Sequence, residues 1–234
     1  MSRRLRLETA HGWIGAYRSD PAIPPKGALV VVQEIFGLNR HIRGVVDRFA
    51  DHGFIAMAPA MFDIVDEDVE LGYDEAGVKR GRELAEKLGF DRAVDCVRAA
   101  AKQLESDAKV GVVGFCWGGT VAFLPNARLA RPAVSYYGGR TVPFLGEKIE
   151  APMLFHFGRN DPIISAEDVE EHQRRQSGAE FFVWDAGHGF NCDQRDDYRP
   201  DVAAEAMQRT LAFFERVLKD RKSTRLNSSH VSQS

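Results

Sequence analysis

Residues 109–123 read KVGVVGFCWGGTVAF. A short β-branched apolar run breaks at a glycine-rich turn, and helical spacing resumes from Trp117. Cys116 stands at the apex. A free cysteine most often packs as a small hydrophobe. Here, however, Gly114-Phe115-Cys116-Trp117-Gly118 has the form G-x-nucleophile-x-G, in which small flanking residues let the chain bend sharply from strand to helix and expose the central side chain.

Strand-like and helix-like segments alternate on both sides of this turn. ALVVVQE (28–34) is a continuous apolar run between turn residues, as in a strand buried on both faces, and FIAMAP (54–59) is the next. AVSYYG (133–138), PMLFHFG (152–158) and AEFFVWD (179–185) read as later strands. Amphipathic spacing predicts a helix over 39–53, with Asn39 as N-cap and Gly53 as the stop. Further helical segments fall at roughly 75–105, interrupted near LGFD, at 166–176 and at 200–218. Before all of these, LRLET and WIGAYR form a β-pair around the turn AHG, with Gly12 at its tip. The alternation predicts an α/β fold: a mostly parallel central sheet with helices on both faces. Pro125 should kink or end the helix after Cys116 early.

Bulk properties narrow the function. The 234 residues are 44% hydrophobic and 28% charged, ordinary values for a chain that buries a sizeable core. A formal net charge of −3 gives no electrostatic reason to expect nucleic acid or an anionic membrane as partner. No apolar run is long enough for a transmembrane helix, and the basic start MSRRLRLETAHG lacks the apolar stretch of a secretory leader. Cys96, Cys116 and Cys192 match neither a disulfide framework nor a zinc motif, so a reducing, cytoplasmic setting is expected. Cys96, among apolar helix neighbours, reads as core. No repeat or linker interrupts residues 1–221, which are read as a single domain. The polar, serine-rich KSTRLNSSHVSQS (222–234) reads as a disordered tail, of the kind left by read-through or cloning.

In an open α/β sheet functional residues gather beyond the carboxyl ends of the strands. Asp161 lies just after the strand 152–158, in FHFGRNDPI, and His188 just after 179–185, in DAGHGF. The order nucleophile, acid, histidine is that of an α/β-hydrolase triad. A thiol of free pKa about 8.5 is only partly ionised at neutral pH, so a base must take its proton and an acid must hold that base in the right tautomer. Singly, each residue has a plainer reading: a turn Asp, a capping His, a core Cys. Together, in this order at three strand ends, they point to nucleophilic catalysis. Glu34 ends the first long buried strand, and a glutamate there needs a partner such as the thiol or an arginine. Tyr136 and Tyr137 close a strand at the same edge, and Tyr136 is taken as a pocket residue.

The segments QEIFGLNRHIR, GFIAMAPAMFD, KVGVVGFCWGG, YYGG, LFHFGRND and AGHGFNCDQRDDYR together resemble the dienelactone hydrolase (carboxymethylenebutenolidase) family over about residues 5–218. The resemblance implies an α/β-hydrolase fold and hydrolysis of a cyclic enol-lactone to an acyclic acid, without cofactor or metal. It implies Cys116 as nucleophile, His188 as base, Asp161 as orienting acid, and Glu34 as a carboxylate that contacts the thiol and couples its activation to substrate binding. Backbone N–H groups of Ile35 and Trp117 would form the oxyanion hole, and Arg82 would bind a substrate carboxylate. Glu86 stands where the family has a tyrosine, and Cys192 where it has a second arginine; Arg195 can serve there only if its loop curls back. The expected partner is a small lactone or ester, with the chain a monomer or weak homodimer. Two other readings remain at this stage: a broader esterase or thioesterase, and a non-catalytic thiol redox or binding protein on the same scaffold.

Overall fold

Strands buried on both faces belong inside a sheet, and the computed structural model, which describes residues 1–219, arranges them so. The hairpin β1 (Ser2–Thr9) and β2 (Gly12–Ser19) turns at Gly12, whose φ of 121° lies where only glycine is at ease. Then come β3 (Ala28–Val32), β4 (Ile55–Pro59), β5 (Val110–Phe115), β6 (Ala133–Tyr136) and β7 (Met153–Gly158), buried along their whole lengths, and the edge strand β8 (Glu180–Trp184). The eight strands pair in the order β1-β2-β4-β3-β5-β6-β7-β8. From β4 to β8 every pairing is parallel, while β1 and β2 run antiparallel. The expected tail at 222–234 lies outside the described residues.

Among the described residues six α-helices cover the sheet: α1 (Arg40–Asp51), α2 (Glu75–Leu88), α3 (Phe90–Leu104), α4 (Trp117–Leu129), α5 (Ala166–Arg175) and α6 (Pro200–Val217). Side-chain alternation along β7 shows the two layers. Phe155 meets Phe123 of α4 and His172 of α5, whereas His156 points the other way to Thr210 of α6. This is the α/β-hydrolase architecture. Asn39 caps α1 through the N–H of Ile42 at 3.1 Å, a bond worth about 1 kcal/mol.

Pro125 does not end its helix: α4 continues to Leu129. Residues Trp117 to Asn126 are all buried, so packing on every side opposes the roughly 3 kcal/mol cost of an interior proline. The helix end is also pinned. The Pro125 carbonyl accepts from the N–H groups of Ala130 and Arg131, and the Asn126 amide donates to the carbonyls of Arg131, Ala151 and Pro152 at 2.9–3.0 Å.

Candidate active site

Cys116 joins β5 to α4 with φ 55° and ψ −122°, a backbone conformation that L-residues rarely tolerate. The surroundings leave no alternative. A Cβ on Gly114 would lie 1.8 Å from the Gly118 carbonyl oxygen, and one on Gly118 would lie 2.3 Å from that of Gln33, so only glycine lets the bend close against β3. The Cys116 N–H is tied to the Tyr136 carbonyl at 3.0 Å. The result is a thiol held on a rigid, strained turn at the carboxyl end of the sheet.

Sequence-distant residues converge on it. His188 Nε2 lies 3.2 Å from Cys116 Sγ, and His188 Nδ1 donates to Asp161 Oδ2 at 2.7 Å. Asp161 is fixed in turn, because its Oδ1 accepts from the N–H groups of Ile163 (2.8 Å) and Ile164 (3.3 Å). The His188 ring packs edge-on to Tyr137 at 5.1 Å, and both His188 and Asp161 are buried. Burial disfavours the imidazolium, but the neighbouring Cys116 thiolate and the Asp161 carboxylate outweigh it and push His188 up to about 10. Such a pair can store the thiol proton on the imidazole.

Cys116 and His188 open onto a cavity of about 240 Å³. Ile35, Trp117 and Ile163 contribute to its wall, and Arg82, Arg140 and Arg195 bring positive charge. Trp117 is the first residue of α4, so its N–H is among the donors that the helix cannot satisfy internally. Ile35 is set by α2: a Cβ on Gly81 would come within 2.2 Å of the Ile35 carbonyl oxygen. The loop carrying Arg195 does curl back. Gly189 takes φ 81°, and successive turns follow, from the Cys192 N–H to the Gly189 carbonyl (2.8 Å) and from the Arg195 N–H to the Cys192 carbonyl (3.1 Å).

Two expected placements differ. Tyr136 is not a pocket residue. It is fully buried, and its hydroxyl bonds Thr210 of α6 at 2.6 Å, whereas Tyr137, just past the end of β6 with φ 40°, takes the side facing His188. Glu34, in turn, makes no hydrogen bond to Cys116 among the described residues. Its Oε2 accepts from the Tyr73 hydroxyl at 3.2 Å, and its Oε1 lies 3.9 Å from Arg195 Nη1. Cys96 is buried core, and burial pushes its thiol up to about 12.

Arg140, Tyr73, Tyr137 and His41 are site residues that the sequence reading passed over or left as packing. Only Arg140, directly after a strand end in YYGGR, carried a local signal. Among the described residues, Glu34, His41 and Cys192 are the group whose side chains are placed to hold a metal ion, their donor atoms all within 4.8 Å of one another. Cys192, which matches no zinc motif by spacing, lies beside His41 of α1 instead.

A model of the dienelactone hydrolase family matches residues 14–218. The chain is 33% identical over 220 residues to carboxymethylenebutenolidase of Pseudomonas putida, covering 85% of this chain and 89% of that one. It is 30% identical over 228 residues to a Synechocystis protein provisionally given the same name, covering 88% and 93%. A crystal structure provisionally identified as a dienelactone hydrolase of Klebsiella pneumoniae superposes with a TM-score of 0.82 at 26% identity, covering 92% of this chain and 98% of that one. No helix among the described residues is long and apolar enough to cross a membrane.

Proposed function

This chain belongs to the dienelactone hydrolase family, and from that premise we propose that it hydrolyses small, carboxylate-bearing lactones or esters through a Cys116–His188–Asp161 triad. The observation that carries the reading is the continuous chain of hydrogen bonds from Asp161 through His188 to a thiol on a strained elbow. A binding protein has no use for that relay.

The thiol proton moves to His188 Nε2, and the Cys116 thiolate attacks the ester carbonyl carbon. The carbonyl π electrons shift to oxygen, and the oxyanion meets the N–H groups of Trp117 and Ile35. Collapse re-forms the carbonyl and breaks the ester C–O bond. The leaving oxygen takes the proton from His188; where the lactone is enolic it departs as an enolate and then takes that same proton, so His188 is neutral before the second half-reaction. Water then attacks the thioester, giving its proton to His188 Nε2. Collapse releases the acid and the thiolate, which recovers its proton from His188. Asp161 accepts from Nδ1–H throughout and keeps Nε2 aimed at sulfur.

Arg82, Arg140 and Arg195 on the cavity wall favour an anionic substrate. The test is steady-state turnover of matched esters and lactones with and without a free carboxylate, by wild type and Cys116→Ala. Turnover is expected to favour the carboxylate-bearing member and to vanish without the thiol. Turnover surviving Cys116→Ala removes the mechanism, and equal turnover of the two substrate classes removes the role of the arginines.

A further inference from the structure

Behind the pocket, two buried acceptor atoms lie without a donor. Glu34 is fully buried, yet its Oε1 has no hydrogen-bond partner. His41, 2% exposed, likewise has no partner at Nε2, while its Nδ1 lies 3.0 Å from Asp193 Oδ1. A carboxylate can only accept, so Asp193 holds the Nδ1–H tautomer and leaves the Nε2 lone pair directed into the cluster. Cys192, also buried, supplies a sulfur, and Tyr73 donates its hydroxyl to Glu34 Oε2 from the side. The nearest cation, Arg195, stops 3.9 Å from Glu34 Oε1, outside hydrogen-bond range.

We propose that Glu34, His41 and Cys192 form a buried binding site for one borderline divalent transition metal, with zinc as the best fit. An imidazole nitrogen, a thiolate and a carboxylate oxygen are a zinc ligand set, whereas magnesium and calcium require oxygen donors. The donor atoms lie within 4.8 Å of one another. Tetrahedral zinc with its usual bond lengths needs them about 3.3–3.8 Å apart, so side-chain rotation of about an ångström closes the site and leaves a fourth position for water. The carboxylate behind the ligating imidazole, here Asp193, is the usual outer-shell partner of a metal-bound histidine. On binding, Cys192 loses its proton to solvent, and the anionic sulfur and carboxylate balance the dication. The site does not use Cys116 as a ligand and does not depend on the triad reading.

The competing occupant is a buried water shared with Tyr137, whose hydroxyl is also buried without a partner. The experiment uses the full chain carrying Cys116→Ala, so that the Cys116–His188 pair cannot supply the thiolate. After chelator treatment it is titrated with cobalt(II). The expected result is uptake of one equivalent with a thiolate-to-cobalt charge-transfer band, displacement by zinc, and a zinc-dependent rise in Tm. Adding Cys192→Ser should abolish the band. Asp193→Asn, at a half-exposed position where folding is not at stake, should weaken binding about 10–100-fold. The proposal fails if no stoichiometric uptake occurs, if Tm ignores zinc as a water-filled site would, or if the band survives Cys192→Ser. It fails equally if uptake is seen in wild type but lost with Cys116→Ala. Should Cys192→Ser not fold, His41→Gln decides, and cobalt affinity unchanged in that variant overturns the site.

Discussion

Asp161→Asn tests the relay at its least ambiguous point. The Asp161 side chain is fully buried, and one oxygen serves the backbone while the other serves His188. Asparagine keeps an acceptor for the N–H groups of Ile163 and Ile164, so the loop should hold. Its amide then faces His188 Nδ1 with a donor, which favours the tautomer protonated at Nε2. That nitrogen can no longer take the thiol proton. In wild type Cys116 and Asp161 overcome burial and push His188 from the ordinary 6.5 up to about 10, so both partners favour the imidazolium. In a serine triad the same exchange costs about 10⁴ in kcat. A thiol is more forgiving, because a few per cent ionises unaided at pH 7, so the expected loss here is about 10²–10³. The sign of the pH effect is distinctive. Wild-type activity depends on protonated His188 and should fall as pH rises through about 10. In the variant His188 is no longer held up by the carboxylate, and the thiolate must form without its help, so the rate should climb with pH instead. The assay is kcat/KM from pH 6 to about 10.5, with Tm to check folding. A loss below tenfold, less than about 1.4 kcal/mol of barrier, or a defect of constant size across pH, refutes the relay.

Four further substitutions probe the thiol and its surroundings. Cys116→Ala and Cys116→Gly should both lose at least about 10³ in rate, but glycine relieves the positive φ of 55°. The glycine variant should therefore melt about 2–4 °C above alanine for a net gain of about 1 kcal/mol; a lower Tm would show that the elbow is unstrained. Arg82→Met should raise KM about 10–100-fold for a carboxylate-bearing ester, the worth of one charge-assisted hydrogen bond, and leave a neutral ester unchanged. Equal effects on both esters would assign Arg82 to the fold instead. Glu34→Gln should lower stability by about 1–3 kcal/mol, since a buried carboxylate loses its charge beside Arg195, and should leave the rate of Cys116 alkylation by iodoacetamide unchanged. Faster alkylation would restore the contact between Glu34 and the thiol that the family resemblance implies.

The buried strands and the elbow were legible because their signals are local: an unbroken apolar run, glycines two residues either side of a cysteine, an asparagine before an amphipathic helix. What failed depends on which way a side chain points once elements pack. Tyr136 and Tyr137 are neighbours on one strand end, and only the facing helices decide that the first meets Thr210 and the second His188. Pro125 breaks a helix rule that holds in water and yields to burial on every side. Arg195 reaches the pocket through a run of turns beginning at Gly189, which no spacing rule encodes. Glu34, His41 and Cys192 come from a strand end, a helix and a loop, so no motif announces their meeting.

The parallel pairing around the elbow also bears on how the chain reaches this state. Val32 on β3 aligns with Gly114 on β5, with α1, β4, α2 and α3 intervening. Closing so long a loop costs entropy before any contact repays it, and sheets built from such pairings fold slowly. Meanwhile ALVVV and VGVVGF, apolar, uncharged and rich in β-formers, remain unpaired. They are the segments through which nascent molecules would cross-associate. Yield of active protein should therefore be governed by synthesis rate and temperature during expression more than by the thermal stability of the finished molecule.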